Sequence, residues 1–131
     1  MPFPRRVSLW CATAAACVIA VAGCGGGGSA EPPEAPADAD VVVTAYDIGI
    51  REPTLPDVKA GDVKFFYRDE GTSHTLRVKD SNGNDAPGFQ LVVDKPGDSD
   101  EGTVKLEPGE YIVYCSLPGH YASMNRTLTV T

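Results

Sequence analysis

One short stretch of this chain concentrates metal-binding chemistry: Tyr114-Cys115-Ser116-Leu117-Pro118-Gly119-His120-Tyr121-Ala122-Ser123-Met124. It offers a thiolate, an imidazole five residues on and a thioether four residues after that, with Pro118-Gly119 bending the chain between them. A soft thiolate, borderline imidazoles and a weak thioether suit a copper ion that cycles between two oxidation states. Zinc would accept the cysteine and the histidine but has little use for the methionine. The only other histidine is His74, in Glu70-Gly71-Thr72-Ser73-His74-Thr75-Leu76, so it is the candidate for a second imidazole. One copper ion on His74, Cys115, His120 and Met124 would use every histidine and cysteine of the folded region.

The elements that must position these residues are short β-strands. From Val41 to Thr131, β-branched and aromatic runs alternate with turn residues at regular spacing, the pattern of an all-β sandwich. Strands are predicted near 41–48, 63–68, 74–79, 89–94, 103–107, 111–115 and 126–131. Lys59-Ala60-Gly61-Asp62, Ser81-Asn82-Gly83-Asn84 and Glu107-Pro108-Gly109-Glu110 mark turns between them. Period-two alternation puts Val63, Phe65 and Tyr67 on one face, His74, Leu76 and Val78 on another, and Tyr111, Val113 and Cys115 on a third. Two candidate ligands therefore lie on apolar, inward faces. Greek-key connections bring together strand ends that are distant in sequence, as His74 and Cys115 require.

The chain ahead of this single domain has a different character. Residues 1–23 read as an export signal, because Arg5 and Arg6 precede an apolar run from Leu9 to Ala22. That run is shorter than the roughly 20 apolar residues of a membrane-spanning helix. Val21-Ala22-Gly23-Cys24 resembles the bacterial lipobox, and the resemblance implies that Cys24 carries lipid on the extracytoplasmic face of the cell membrane. Arg5-Arg6 leaves both general and twin-arginine export open. Residues 24–40 are glycine, serine, alanine, proline and acid beyond the cysteine, and are expected to form a flexible tether. With the signal removed, Cys115 is the lone cysteine of the domain, and a metal bond would explain an unpaired thiol in an exported protein.

Charge narrows the partners. Removing Arg5 and Arg6 from 11 basic and 18 acidic residues leaves a formal charge of −9, which disfavours nucleic acid and favours a basic protein. The acidic groups Asp69-Glu70 and Asp94 to Glu101 read as solvated surface, with a docking patch as the alternative.

Val41 to Thr131 resembles the cupredoxin family of blue-copper proteins, which includes azurin, auracyanin and plastocyanin. The spacing of Cys115, His120 and Met124 is similar to the azurin and auracyanin ligand loop, and Val58 to Phe66 followed by Gly71 and His74 is similar to the segment leading to the first histidine. The resemblance implies His74, Cys115 and His120 as strong ligands and Met124 as the axial one. Thr75 stands where members often have asparagine, and Thr75 and Ser116 are expected to brace the Cys115 loop. Ser73 replaces the glycine whose carbonyl approaches copper in azurins.

The function implied is one-electron transfer by a monomeric carrier between redox partners of cytochrome or oxidase type. Leu117, Pro118, His120 and Tyr121 would form the electron port and docking surface. Copper carriage or delivery is the alternative. An enzyme needs a further open metal site, and no histidine or cysteine is left to build one.

Overall fold

The computed structural model describes residues 30–131, so the export signal and Cys24 lie outside the described residues. Eight strands follow one another: β1 (Val41–Tyr46), β2 (Gly49–Ile50), β3 (Gly61–Asp69), β4 (His74–Asp80), β5 (Leu91–Val93), β6 (Ser99–Leu106), β7 (Gly109–Tyr114) and β8 (Asn125–Val130). They form two four-stranded sheets, ordered β2-β1-β3-β6 and β5-β4-β7-β8. The chain is an all-β sandwich. All pairings are antiparallel except β1 with β3, which run in parallel from Val41↔Phe65 to Ala45↔Asp69. A parallel pair needs a crossover. Here the segment after β2 crosses to the far sheet, where Val58 bridges Val130.

Alternating apolar residues from both sheets close the interior. Val63, Phe65 and Tyr67 of β3, Leu76 and Val78 of β4, Val113 of β7 and Leu128 of β8 are all buried. Phe65 tilts against Phe89 with ring centroids 5.3 Å apart, an arrangement that adds to simple area burial.

Two elements differ from the sequence expectation. β2 is only two residues long, too short to show alternation. β6 begins at Ser99, four residues ahead of the predicted strand, because its acidic first half pairs through its backbone with Phe65 to Arg68 of β3 while its side chains face water. Hydropathy carries no trace of a strand held that way.

The acidic surface also needs one correction. Asp69 is fully buried, with Oδ1 accepting the Gly71 amide at 2.8 Å. Burial raises its pKa above the ordinary carboxylate value, and its Oδ2 has no hydrogen-bond partner. Glu70 stays at the surface, where it pairs with Arg51 at 2.7 Å.

The expected free tether is corrected over its last part as well. Asp40 lengthens the β1 ladder by donating its amide to the Lys64 carbonyl at 2.9 Å, and its carboxylate accepts the Lys64 amide at 2.8 Å. Asp38 pairs with Lys64 Nζ at 2.9 Å, and Arg68 Nη1 donates to the Pro33 carbonyl at 3.1 Å. The tether reading rested on a lack of apolar side chains, whereas these contacts come from carboxylates and backbone carbonyls.

Candidate metal centre

The candidate ligands are gathered at one end of the sandwich. β3 ends there at Asp69, and the loop 70–73 delivers His74 as the first residue of β4. Gly71 is required in that loop, because a Cβ on it would collide with the Asp47 backbone nitrogen. Thr72 Oγ1 donates to the Asp47 carbonyl at 3.3 Å, tying the loop to the β1–β2 turn.

The opposite wall is the loop from Cys115 to Met124. Cys115 follows the last residue of β7, and its amide donates to the Met124 carbonyl at 3.0 Å, which closes the loop at its base. Leu117 to His120 makes a tight turn, with the His120 amide donating to the Leu117 carbonyl at 3.1 Å and Gly119 at φ 81°. Proline followed by a left-handed glycine is what that turn geometry demands. A second turn donates the Met124 amide to the His120 carbonyl at 2.9 Å. The Cys-to-Met spacing is thus two consecutive turns hung from the end of β7.

The folded chain brings His74, Cys115 and His120 together: their ligand atoms all lie within 4.8 Å of one another. His74 Nδ1 faces His120 Nδ1 at 3.3 Å, and Cys115 Sγ lies 3.7 Å from the same His120 nitrogen. Two imidazole nitrogens and a sulfur converge on one point, the soft and borderline donor set that a single copper ion takes. His74, Cys115 and Met124 are fully buried, and His120 is half-buried. Burial, reinforced by the neighbouring His120, pushes the His74 pKa below its ordinary value, although Asp69 opposes this. The neutral imidazole is the ligand form.

Thr75 braces the thiolate. Its hydroxyl oxygen accepts the Ser116 amide at 2.8 Å and lies 2.8 Å from the Ser116 hydroxyl and 3.7 Å from Cys115 Sγ. Its own amide donates to Sγ at 3.5 Å. Behind it, Tyr67 donates its hydroxyl to the Thr75 carbonyl at 3.3 Å, and burial raises the Tyr67 pKa. Nothing in the spacing of the sequence points to Tyr67 as a support for the site; its register opposite β4 comes only from the packing of the two sheets. Removing the Thr75 hydroxyl by Thr75→Ala should weaken copper retention about 10- to 100-fold, as loss of groups that orient ligands commonly does. Competition against a chelator of known affinity measures this, with Thr75→Ser expected to restore most of the loss.

Of the remaining loop residues, Pro118 and Tyr121 are exposed, Ser116 is exposed beside the thiolate, and Leu117 packs partly against the core. Tyr121 meets Tyr114 edge-on with ring centroids 5.5 Å apart, and Lys79 Nζ lies 4.3 Å from the Tyr121 ring centre.

Comparison with known proteins places this arrangement. The family described as copper binding proteins, plastocyanin/azurin family, matches residues 51–131. The chain belongs to that family. No curated protein matches the sequence significantly. Among solved structures, auracyanin of Roseiflexus castenholzii superposes with a TM-score of 0.58 at 16% identity, covering 69% of this chain and 94% of that one. Auracyanin A of Chloroflexus aurantiacus, described as a blue copper protein, gives 0.58 at 15% identity over 69% of this chain and 96% of that one. The azurin Az-iso2 of Methylomonas sp. strain J gives 0.57 at 16% identity over 72% and 99%. The protein is a cupredoxin-type blue copper protein, and His74, Cys115 and His120 are grouped to hold one copper ion.

Proposed function

We propose that this protein is a membrane-tethered one-electron carrier acting between redox partners outside the cytoplasm. The observation that carries the reading is the convergence of His74 Nδ1, Cys115 Sγ and His120 Nδ1 within 4.8 Å at one end of a rigid sandwich. When bound there, copper supplies a one-electron couple between Cu(II) and Cu(I).

The chain's part is to hold the ligands still and dry. His74 is anchored by the β4 ladder, Cys115 by Thr75 and the Met124 carbonyl, and His120 by two turns. Ligands held this way move little when the charge on the site changes, which favours fast electron exchange. Met124, fully buried at the base of the loop, would supply the thioether to a copper ion held there.

His120 is the least buried of the four residues and sits among exposed Pro118 and Tyr121, so it forms the electron port. Together with Leu117 these residues make a small docking surface of the kind transient electron carriers use, under about 1,200 Å² in total. A cytochrome or oxidase subunit with a basic face suits the acidic domain. Lipid on Cys24 supplies the tether.

Copper delivery is the rival reading. Handover favours exposed, thioether-rich sites, and here three of the four candidate ligands are fully buried with a single thioether. The visible spectrum of the protein lacking its first 24 residues, loaded with Cu(II), tests the proposal. An intense blue band that bleaches with ascorbate and returns on oxidation is expected; a colourless protein would sink electron transfer and leave copper carriage.

A further inference from the structure

We infer that residues 30–40 act as a strap which makes the chain leave the domain at its copper end, so that a lipid on Cys24 holds that end at the membrane and selects partners whose electron port lies at the same membrane surface. The inference rests on the tethered-carrier reading above.

The path of the segment carries the argument. β1 runs parallel to β3, and β3 ends beside the metal centre, so Val41 at the start of β1, level with Phe65, lies midway along the sandwich and short of that end. A free tether would leave from Val41, midway along the sandwich, and would bring neither end to the lipid. Instead the chain reverses at Pro36–Ala39, where the Ala39 amide donates to the Pro36 carbonyl at 3.1 Å. It then runs back along the outer face of β3, from Lys64, held by Asp38 and Asp40, to Arg68, held by the Pro33 carbonyl.

Phe66 lies between these two anchors on the same outer face. It stands outside the central core, yet only 6% of it is exposed. A strap strung from Lys64 to Arg68 crosses it and accounts for its burial.

The strap ends at the copper end. A Cβ built on Gly97 would lie 2.9 Å from the Ala30 Cβ. Gly97 donates its amide to the Asp69 carbonyl at 2.9 Å, and Ser73, the residue before His74, donates its hydroxyl to the Asp94 carbonyl at 3.3 Å in the same loop. The exit point and the ligand loops therefore share one end of the sandwich.

The remaining chain is short. Six residues from Cys24 to Ala30 span roughly 20 Å even when fully extended. The far end of the domain lies a strand's length beyond, about 30 Å for a strand as long as β3. The copper end is thus confined to the layer next to the headgroups, where an integral or anchored redox protein presents its port, and a partner diffusing freely in solution is disfavoured.

Energy transfer on the full lipidated protein tests this. A fluorescent donor is placed on Lys95→Cys at the copper end or on Glu107→Cys at the far end, in phosphatidylcholine vesicles bearing a headgroup-labelled acceptor. Donor quenching should be about threefold stronger at position 95 than at 107, given the roughly 30 Å between the ends. A Gly/Ser spacer of about 20 residues inserted between Gly28 and Ser29, which leaves every strap contact in place, should abolish that difference. Arg68→Ala with Phe66→Ser should release the strap and remove most of that difference. Failure to co-sediment with the vesicles would overturn the lipid anchor and the inference with it; co-sedimentation with equal quenching at both positions would overturn the orientation alone.

Discussion

Cys115→Ser yields a folded protein that binds copper at least about 100-fold more weakly and shows no intense visible band. The magnitude follows because loss of a group that merely orients a ligand already costs about 10- to 100-fold, and here the ligand itself is lost. Serine is nearly the same size, so the buried site keeps its shape, but a hydroxyl is a hard, weakly acidic donor and cannot stand in for a thiolate. The Thr75 amide, which donates to Sγ at 3.5 Å, keeps an acceptor in the serine oxygen, so the loop is not unfastened. Far-ultraviolet circular dichroism separates loss of metal from loss of fold, and copper titration followed by visible absorption reads the affinity. A blue Cys115→Ser protein would rule out Cys115 as the source of the colour.

Phe65→Ala has the largest expected effect on stability, a loss of about 3–5 kcal/mol. Phe65 is fully buried at the centre of β3, packs on Phe89, and sits opposite Gly102 of β6 in the ladder. Gly102 leaves no side chain to fall into the hole: a Cβ there would already press on Leu91 at 3.0 Å and on Phe89 at 3.3 Å. The cavity therefore stays open, and the cost falls at the upper part of the range for such truncations. Small domains are stable by about 5–15 kcal/mol, so most of the margin of the metal-free protein disappears. Urea unfolding with and without copper measures both the loss and its recovery, since a metal that binds only the folded state restores stability in proportion to the logarithm of its concentration over the dissociation constant.

Much of this was legible in the residues alone. Cys115, His120 and Met124 could be read as a metal-binding loop because two consecutive turns put all three within one short stretch, and because Pro118-Gly119 is a local turn signal that needs no tertiary partner. Strands β3, β4 and β7 showed themselves through period-two alternation, since each turns one row of apolar side chains into the core. The joining of His74 to that loop could be argued only by its being the remaining histidine, and the family resemblance made the case.

Other features depend on contacts between segments far apart in the chain. The first half of β6 is held by backbone pairing to β3, and backbone groups are the same in every residue, so no side-chain pattern marks it. Asp69 looks like any surface carboxylate until the loop 70–73 folds over it. Residues 30–40 have the composition of a free linker, yet Lys64 and Arg68 on β3 give their carboxylates and carbonyls a place to bind. The sequence by itself determined the metal-ligating residue types, their spacing and the sandwich that carries them, because these follow from local turn chemistry and hydropathic period. Only the tertiary structure decided the 3.3 Å approach of the two imidazoles, the bracing of Cys115 by Thr75 and the end at which the chain leaves the domain, because each is set by how strands distant in sequence register against one another.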